Sequence, residues 1–121
     1  MIDHIGISVS DYPQSKQFYS AALAPLGYKV LAEYGDSAGL GAAGKADFWI
    51  SQGKHTKPRV HVAFQCERRT QVDKFHAAAL KAGGKDNGPP GIREDYAPDY
   101  YAAFVLDPDG HNIEAVCHAA K

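Results

Sequence analysis

Six histidines, fourteen aspartates and glutamates, seven tyrosines and two cysteines are the side chains of this chain with the most chemical reach. Two of the histidines are related by a repeat. His4 falls on His61 at an offset of 57 residues, and the same offset carries Phe18 to Phe75, Ala22 to Ala79, Leu23 to Leu80 and Gly27 to Gly84. Ile5, Ile7 and Val9 fall on Val62, Phe64 and Cys66. A duplication of this kind relates the two imidazoles by a pseudo-twofold axis, which brings them together. A second reactive group lies in Ile92–Tyr101, where Arg93, Glu94, Asp95, Tyr96, Asp99, Tyr100 and Tyr101 cluster. Arg93 suits a substrate carboxylate or phosphate. Tyr96 and Tyr100 are candidate catalytic residues, able to orient a substrate or transfer protons. The alternative is a solvated loop with aromatic packing. Gly88-Pro89-Pro90-Gly91 reads as a turn and not a phosphate loop, since it opens no helix. His111 reads as a turn residue, His76 as helix surface or interface, His55 as part of the seam between halves and His118 as near-terminal. Cys66 and Cys117 lack the CxxC spacing of a zinc or redox site and read as reduced core thiols of a cytoplasmic protein.

The elements that must carry these residues follow the same grammar twice. Ile2–Val9 alternates Ile5, Ile7 and Val9, a strand pattern. Asp11 with Gln14, followed by Phe18, Ala22 and Leu26 on one helical face, predicts a capped helix ended by Pro25 and Gly27. Tyr28–Tyr34, Ala38–Ala42 and Asp47–Ser51 read as three short strands. In the second half, Arg59–Cys66 is a strand, about Arg69 to Ala82 a helix, and Tyr100–Leu106 and Asn112–His118 strands joined by Asp107-Pro108-Asp109-Gly110. Lys85–Asp99 reads as loop-rich, with one weak strand near Ile92. The fold class is α+β: two tandem strand-helix-strand-strand-strand modules, about 1–53 and 59–118, forming a curved mixed sheet around a cleft within a single domain of residues 1–121.

Thirteen basic against fourteen acidic residues, a net charge of −1, give no basic surface for nucleic acid. No apolar run approaches the roughly 20 residues that span a bilayer, and the opening Met1-Ile2-Asp3-His4 lacks the basic segment and long apolar core expected of a signal peptide.

Asp3-His4-Ile5-Gly6-Ile7, Val60-His61-Val62-Ala63-Phe64 and Asp107-Pro108-Asp109-Gly110-His111-Asn112-Ile113-Glu114, set in duplicated modules, resemble the vicinal oxygen chelate family of glyoxalase I, bleomycin-resistance proteins and extradiol dioxygenases. Phe18–Tyr28 and Tyr100–Val105 are similar to a small single-domain, glyoxalase-like branch of it. The resemblance implies metal ligands on strands 1, 5 and 8, here His4, His61 and Glu114, holding one divalent ion (Fe, Ni, Zn, Mn or Co) with open positions for vicinal substrate oxygens. It also implies a homodimer, with each site completed within one chain or across two. Trp49, Phe48, Arg93, Tyr100 and Phe104 are the expected substrate-facing residues.

Two departures from the family pattern narrow the chemistry. The strand-4 ligand position of glyoxalase I falls on Trp49, or on Phe48 with a one-residue slip, and neither binds metal. Extradiol dioxygenases carry a tyrosine three residues before the turn aspartate, where this chain has Phe104. Metal-dependent lyase or isomerase chemistry on a small organic substrate is therefore slightly favoured over dioxygenation. The alternative is a metal-free module that sequesters an aromatic ligand, as bleomycin-resistance proteins do.

Overall fold

A computed structural model describes residues 1–121. Each half of the chain builds a four-stranded mixed sheet and one helix. The first half runs β1 (Ile5–Val9), α1 (Tyr12–Leu23), β2 (Lys29–Tyr34), β3 (Ser37–Ala42) and β4 (Lys45–Gln52). The second runs β5 (His61–Cys66), α2 (Arg69–Lys81), β6 (Lys85–Ile92), β7 (Tyr101–Leu106) and β8 (Asn112–Cys117). The sheet orders are β1-β4-β3-β2 and β5-β8-β7-β6. In both, the strand before the helix lies parallel to the last strand, and the remaining pairs are antiparallel. This is the α+β, two-module layout that the repeat implies.

Local chemistry sets the helix ends. The Asp11 carboxylate accepts the Gln14 amide at 3.1 Å, and Pro13 lies in the first turn of α1. Before α2 the Gln71 side-chain oxygen reaches back to the Arg68 amide at 3.0 Å. α1 runs on into a 3-10 turn, Ala24–Leu26, that closes on left-handed Gly27 at φ +87°, and α2 is followed by left-handed Gly83 at φ +101°. In each case the next amide returns five residues, Tyr28 to the Leu23 carbonyl and Gly84 to that of Ala79. Gly27 therefore corresponds to Gly83, and the ungapped match with Gly84 slips by one residue at the helix end.

One apolar core serves both halves. Ile7, Val9, Phe18, Tyr19, Phe48 and Ile50 from the first join Phe64, Val72, Phe75, Val105 and Ile113 from the second. The Phe48 ring meets Tyr19 at 4.9 Å and Phe64 at 5.3 Å, edge to face. Tyr19, fully buried, donates its hydroxyl to Asp107 in the turn before β8. Asp107 also accepts the amides of Asp109 and His111, so the turn is fixed to the first half of the chain.

The largest difference from the sequence reading is β6. Gly88-Pro89-Pro90-Gly91 is not a turn but the middle of an eight-residue strand. β6 is a sheet edge and its ladder to β7 skips between Asp86 and Gly88 and again between Gly88 and Gly91, so the prolines interrupt no required hydrogen bond.

Candidate functional site

Strand alternation sorts the candidate residues onto one face of each sheet. On β8, Ile113, Ala115 and Cys117 enter the common core, so Asn112, Glu114 and Val116 take the opposite face. On β5, Phe64 and Cys66 point inward and His61, Ala63 and Gln65 outward. Phe104 lies directly across from Glu114 on β7.

Glu114 is only 1% exposed although it stands on the face away from the core. Its Oε1 is 2.7 Å from His61 Nε2, and its Oε2 accepts the Tyr100 hydroxyl. The His61 side chain remains 51% exposed, so the imidazole stands between the buried carboxylate and open solvent. Burial, and then the bond to Glu114, push the Tyr100 hydroxyl up to about 12, which keeps it a donor at neutral pH. Tyr96 packs edge-on to Tyr100 at 5.1 Å, and His118 does so from another side at 5.2 Å.

The first half presents a parallel arrangement with different residues. Gly6 pairs with Trp49 as Ala63 pairs with Glu114, and Gly39 pairs with Trp49 as Phe104 pairs with Glu114. Trp49 is thus the structural counterpart of Glu114, and the register leaves no slip to Phe48. A Cβ on Gly39 would lie 2.7 Å from the Trp49 ring, so the indole occupies the space that glycine leaves. Tyr34 stacks on it with centroids 6.3 Å apart and planes 10° from parallel. Phe48 turns the other way, into the core.

His4 is 59% exposed by its side chain and hydrogen-bonds Asp3 at 2.7 Å. It lines, with Tyr28, Asp47, His61 and Gln65, a groove of about 520 Å³ between the two halves. Within one chain, however, no three His, Cys, Asp or Glu side chains are grouped closely enough to hold a metal ion. The structure therefore joins His61, Glu114 and Tyr100 by hydrogen bonds, while His4 shares the groove with His61 without completing a three-ligand group with it and Glu114.

His111 is fully buried; its Nδ1 accepts the Val60 amide at 3.0 Å and ties β8 to the entry of β5. His76 pairs with Asp86 at 2.9 Å. Cys66 and Cys117 face each other across β5 and β8, and burial pushes the Cys66 thiol up to about 11, where it is no nucleophile. No helix is long and apolar enough to cross a membrane.

Residues 1–115 match the model of the Glyoxalase/Bleomycin resistance protein/Dioxygenase superfamily. The chain belongs to this superfamily. A glyoxalase/bleomycin resistance protein from Albidiferax ferrireducens is 29% identical, with 95% of this chain and 96% of that one aligned at a TM-score of 0.79. A superfamily enzyme from Burkholderia phytofirmans is 17% identical over 98% of each chain, with a TM-score of 0.75. The fosfomycin resistance protein of Listeria monocytogenes, solved with Mn(II) and 1S,2S-dihydroxypropylphosphonic acid, is 20% identical over 96% of this chain and 88% of its own, with a TM-score of 0.71. At these last two identities the likeness is one of fold. No curated protein sequence matches the chain.

Sequence reasoning missed Tyr34, Asn87 and Asn112. The parity of Asn112 with Glu114 would have found the last. Asn87 was hidden because its strand does not read as one.

Proposed function

We propose that this superfamily member is a divalent-metal enzyme acting on a small organic substrate through two neighbouring oxygens, with lyase or isomerase chemistry favoured. The observation that carries this reading is Glu114: a carboxylate 1% exposed, held by Tyr100 and aimed at an accessible imidazole. Burying a carboxylate is costly without a cationic or hydrogen-bonded partner. The donor set fits a metal. His61 Nε2 and Glu114 Oε1, 2.7 Å apart, need to separate by only about half an ångström to become neighbouring ligands at ordinary metal–nitrogen and metal–oxygen distances.

His61 and Glu114 would be joined by His4 of a second copy in a homodimer. This accounts for two exposed imidazoles on a chain that assembles no three-ligand group by itself. When bound, the ion supplies Lewis-acid polarisation of adjacent substrate oxygens. Tyr100 keeps the Glu114 carboxylate in one orientation and holds its own proton. Trp49 contributes no proton-transferring carboxylate from β4, so a base must come from another residue or from the substrate. Phe104 offers no hydroxyl to a catechol, which favours proton-transfer chemistry over ring cleavage.

A second reading has one observation behind it. The Tyr34–Trp49 stack, with Tyr34 exposed and Trp49 half-buried, is an aromatic platform, which suits a module that sequesters a planar ligand without metal.

Metal analysis of protein purified without chelators separates the two. The enzyme reading expects close to one equivalent per site, lost in Glu114→Gln and in His61→Ala while both variants stay folded. A wild-type protein that takes up none of Fe, Ni, Zn, Mn or Co overturns it.

A further inference from the structure

The strand that the sequence conceals, β6, places a second polar seat beside Glu114. A cavity of about 290 Å³ is lined by Asn87, Gly88, Arg93, Tyr96, Phe104 and Asn112, with no carboxylate among them. Arg93 folds back over the edge strand: its guanidinium lies 5.4 Å above the Phe104 ring and donates to the Pro89 carbonyl at 2.6 Å. Two glycines permit that path. A Cβ on Gly88 would lie 3.2 Å from one terminal nitrogen of Arg93, and one on Gly91 3.1 Å from the other.

Arg93 makes no ion pair, although Glu94 and Asp95 follow it in the chain. A guanidinium placed over an aromatic ring, with a single carbonyl partner, keeps most of its five N–H groups for a ligand. Asn87 donates to the Asn112 side-chain oxygen at 3.2 Å, which leaves the Asn112 amide hydrogens free to donate. Asn112 precedes Glu114 by two residues on the same strand face, about 7 Å away. His61 is paired with Asn112 in the ladder, and its ring is 6.1 Å from that of Phe104. The seat and the His61–Glu114 pair are thus neighbouring halves of one surface.

We propose that Arg93, with Asn112 and Tyr96, binds the oxyanion head group of the substrate, so that the substrate class is a small organic acid, a carboxylate or a phosphonate, whose vicinal oxygens lie two or three bonds from the charged end. This deepens the metal-enzyme reading and rests on it for the placement of those oxygens. The seat itself needs no metal. A bidentate contact from Arg93 fixes the orientation of the acid and brings its far end to Glu114.

The test uses methylphosphonate and acetate as probes on metal-free protein, followed by calorimetry or amide NMR. Wild type binds at least one of them at millimolar concentrations, and the tighter of the two identifies the head group. Arg93→Met weakens binding tenfold or more, equivalent to about 1.4 kcal/mol, with an unchanged melting midpoint and unchanged Mn(II) uptake. Arg93→Lys recovers part of the loss. In Glu114→Gln the anion still binds while Mn(II) uptake fails, so the seat and the metal centre are read separately. With Mn(II) loaded, the phosphorus line of bound methylphosphonate broadens. Wild-type protein that binds neither anion at tens of millimolar, or an Arg93→Met variant within twofold of wild type, overturns the proposal.

Discussion

Tyr100→Phe removes one oxygen atom from the site and tests its architecture without touching a proposed metal ligand. The hydroxyl donates to Glu114, whose carboxylate is 1% exposed, so the bond is charge-assisted and sheltered. Hydrogen bonds to charged groups contribute about 1.5–3 kcal/mol net, and the half-buried position of Tyr100 puts this one at the low end, about 1.5 kcal/mol. For 121 residues the unfolding entropy is roughly 250 cal/mol/K. The melting midpoint of metal-free protein should then fall by about 6 °C. Tyr96→Phe is the control, since Tyr96 touches Tyr100 by its ring at 5.1 Å; its midpoint should stay within about 1 °C of wild type. Without the tyrosine the Glu114 carboxylate keeps only its contact with His61, and Mn(II) affinity should drop about tenfold, as when an outer hydrogen-bond partner of a metal ligand is lost. Circular-dichroism melts and an electron-paramagnetic titration of Mn(II) read the two effects. If both the midpoint and the Mn(II) affinity of Tyr100→Phe equal those of wild type, the Tyr100–Glu114 bond does not hold the site.

Two further predictions concern the first half of the chain. Gly39→Ala puts a methyl group 2.7 Å from the Trp49 ring, which must move out of its place at a cost of about 1–3 kcal/mol; Trp49 is the single tryptophan, so its emission should shift to the red, and an unshifted spectrum refutes the packing. Tyr19 is fully buried, and burial and then the charge of Asp107 raise its hydroxyl well above the ordinary tyrosine value, in the same direction as Tyr12, Tyr28 and Tyr100. The unfolded chain releases these protons near pH 10 while the folded one keeps them, so stability is intact below about pH 10 and declines above it, by up to about 1.4 kcal/mol per pH unit for Tyr19 alone. Urea midpoints between pH 8.5 and 11 should fall less steeply in Tyr19→Phe, and parallel curves for the two proteins would count against the buried bond to Asp107.

What was legible in the sequence was what strand and helix periodicity can carry. The repeat of His4 on His61, the capped first helix and the turn before Glu114 follow from short patterns, and each is present in the fold. Three things were not fully legible. β6 was legible only as a weak strand near Ile92, because glycine and proline normally mark turns, and only its place at a sheet edge makes them compatible with a strand. His111 does close the turn on Asp107, as read, but local sequence does not reveal that its buried ring accepts the amide of Val60, far away in the chain. The match of Gly27 to Gly84 counted letters, whereas the backbone equates Gly27 with Gly83 through a shared left-handed cap.

The two halves carry different residues at the equivalent position on β4 and β8, and under the proposed function that difference would divide the labour of the site. At the position paired with Gly6 and Gly39 stands Trp49; at the position paired with Ala63 and Phe104 stands Glu114. In the first half a small residue on β3 makes room for a large ring on β4, and in the second a ring on β7 covers a carboxylate on β8. The exchange is consistent with volume: each pair holds one aromatic ring. Its chemical consequence is one-sided, because only the second half keeps an ionisable group there. A cleft built from one half of each kind would have a polar wall of His61, Glu114, Tyr100 and Arg93 and an apolar wall of Trp49 and Tyr34, with His4 as the reactive group that crosses to the polar side. Such a cleft discriminates between the two ends of a substrate. Under the proposed function a charged, oxygen-rich end would lie on the second half and a flat or apolar end on the first. Replacing Trp49 by Ala should therefore weaken binding of acids with an aromatic tail while leaving methylphosphonate affinity unchanged, whereas Arg93→Met should weaken both, since both carry the charged head group; a Trp49→Ala loss that is equal for the two ligands would mean that the two walls do not act as separate subsites.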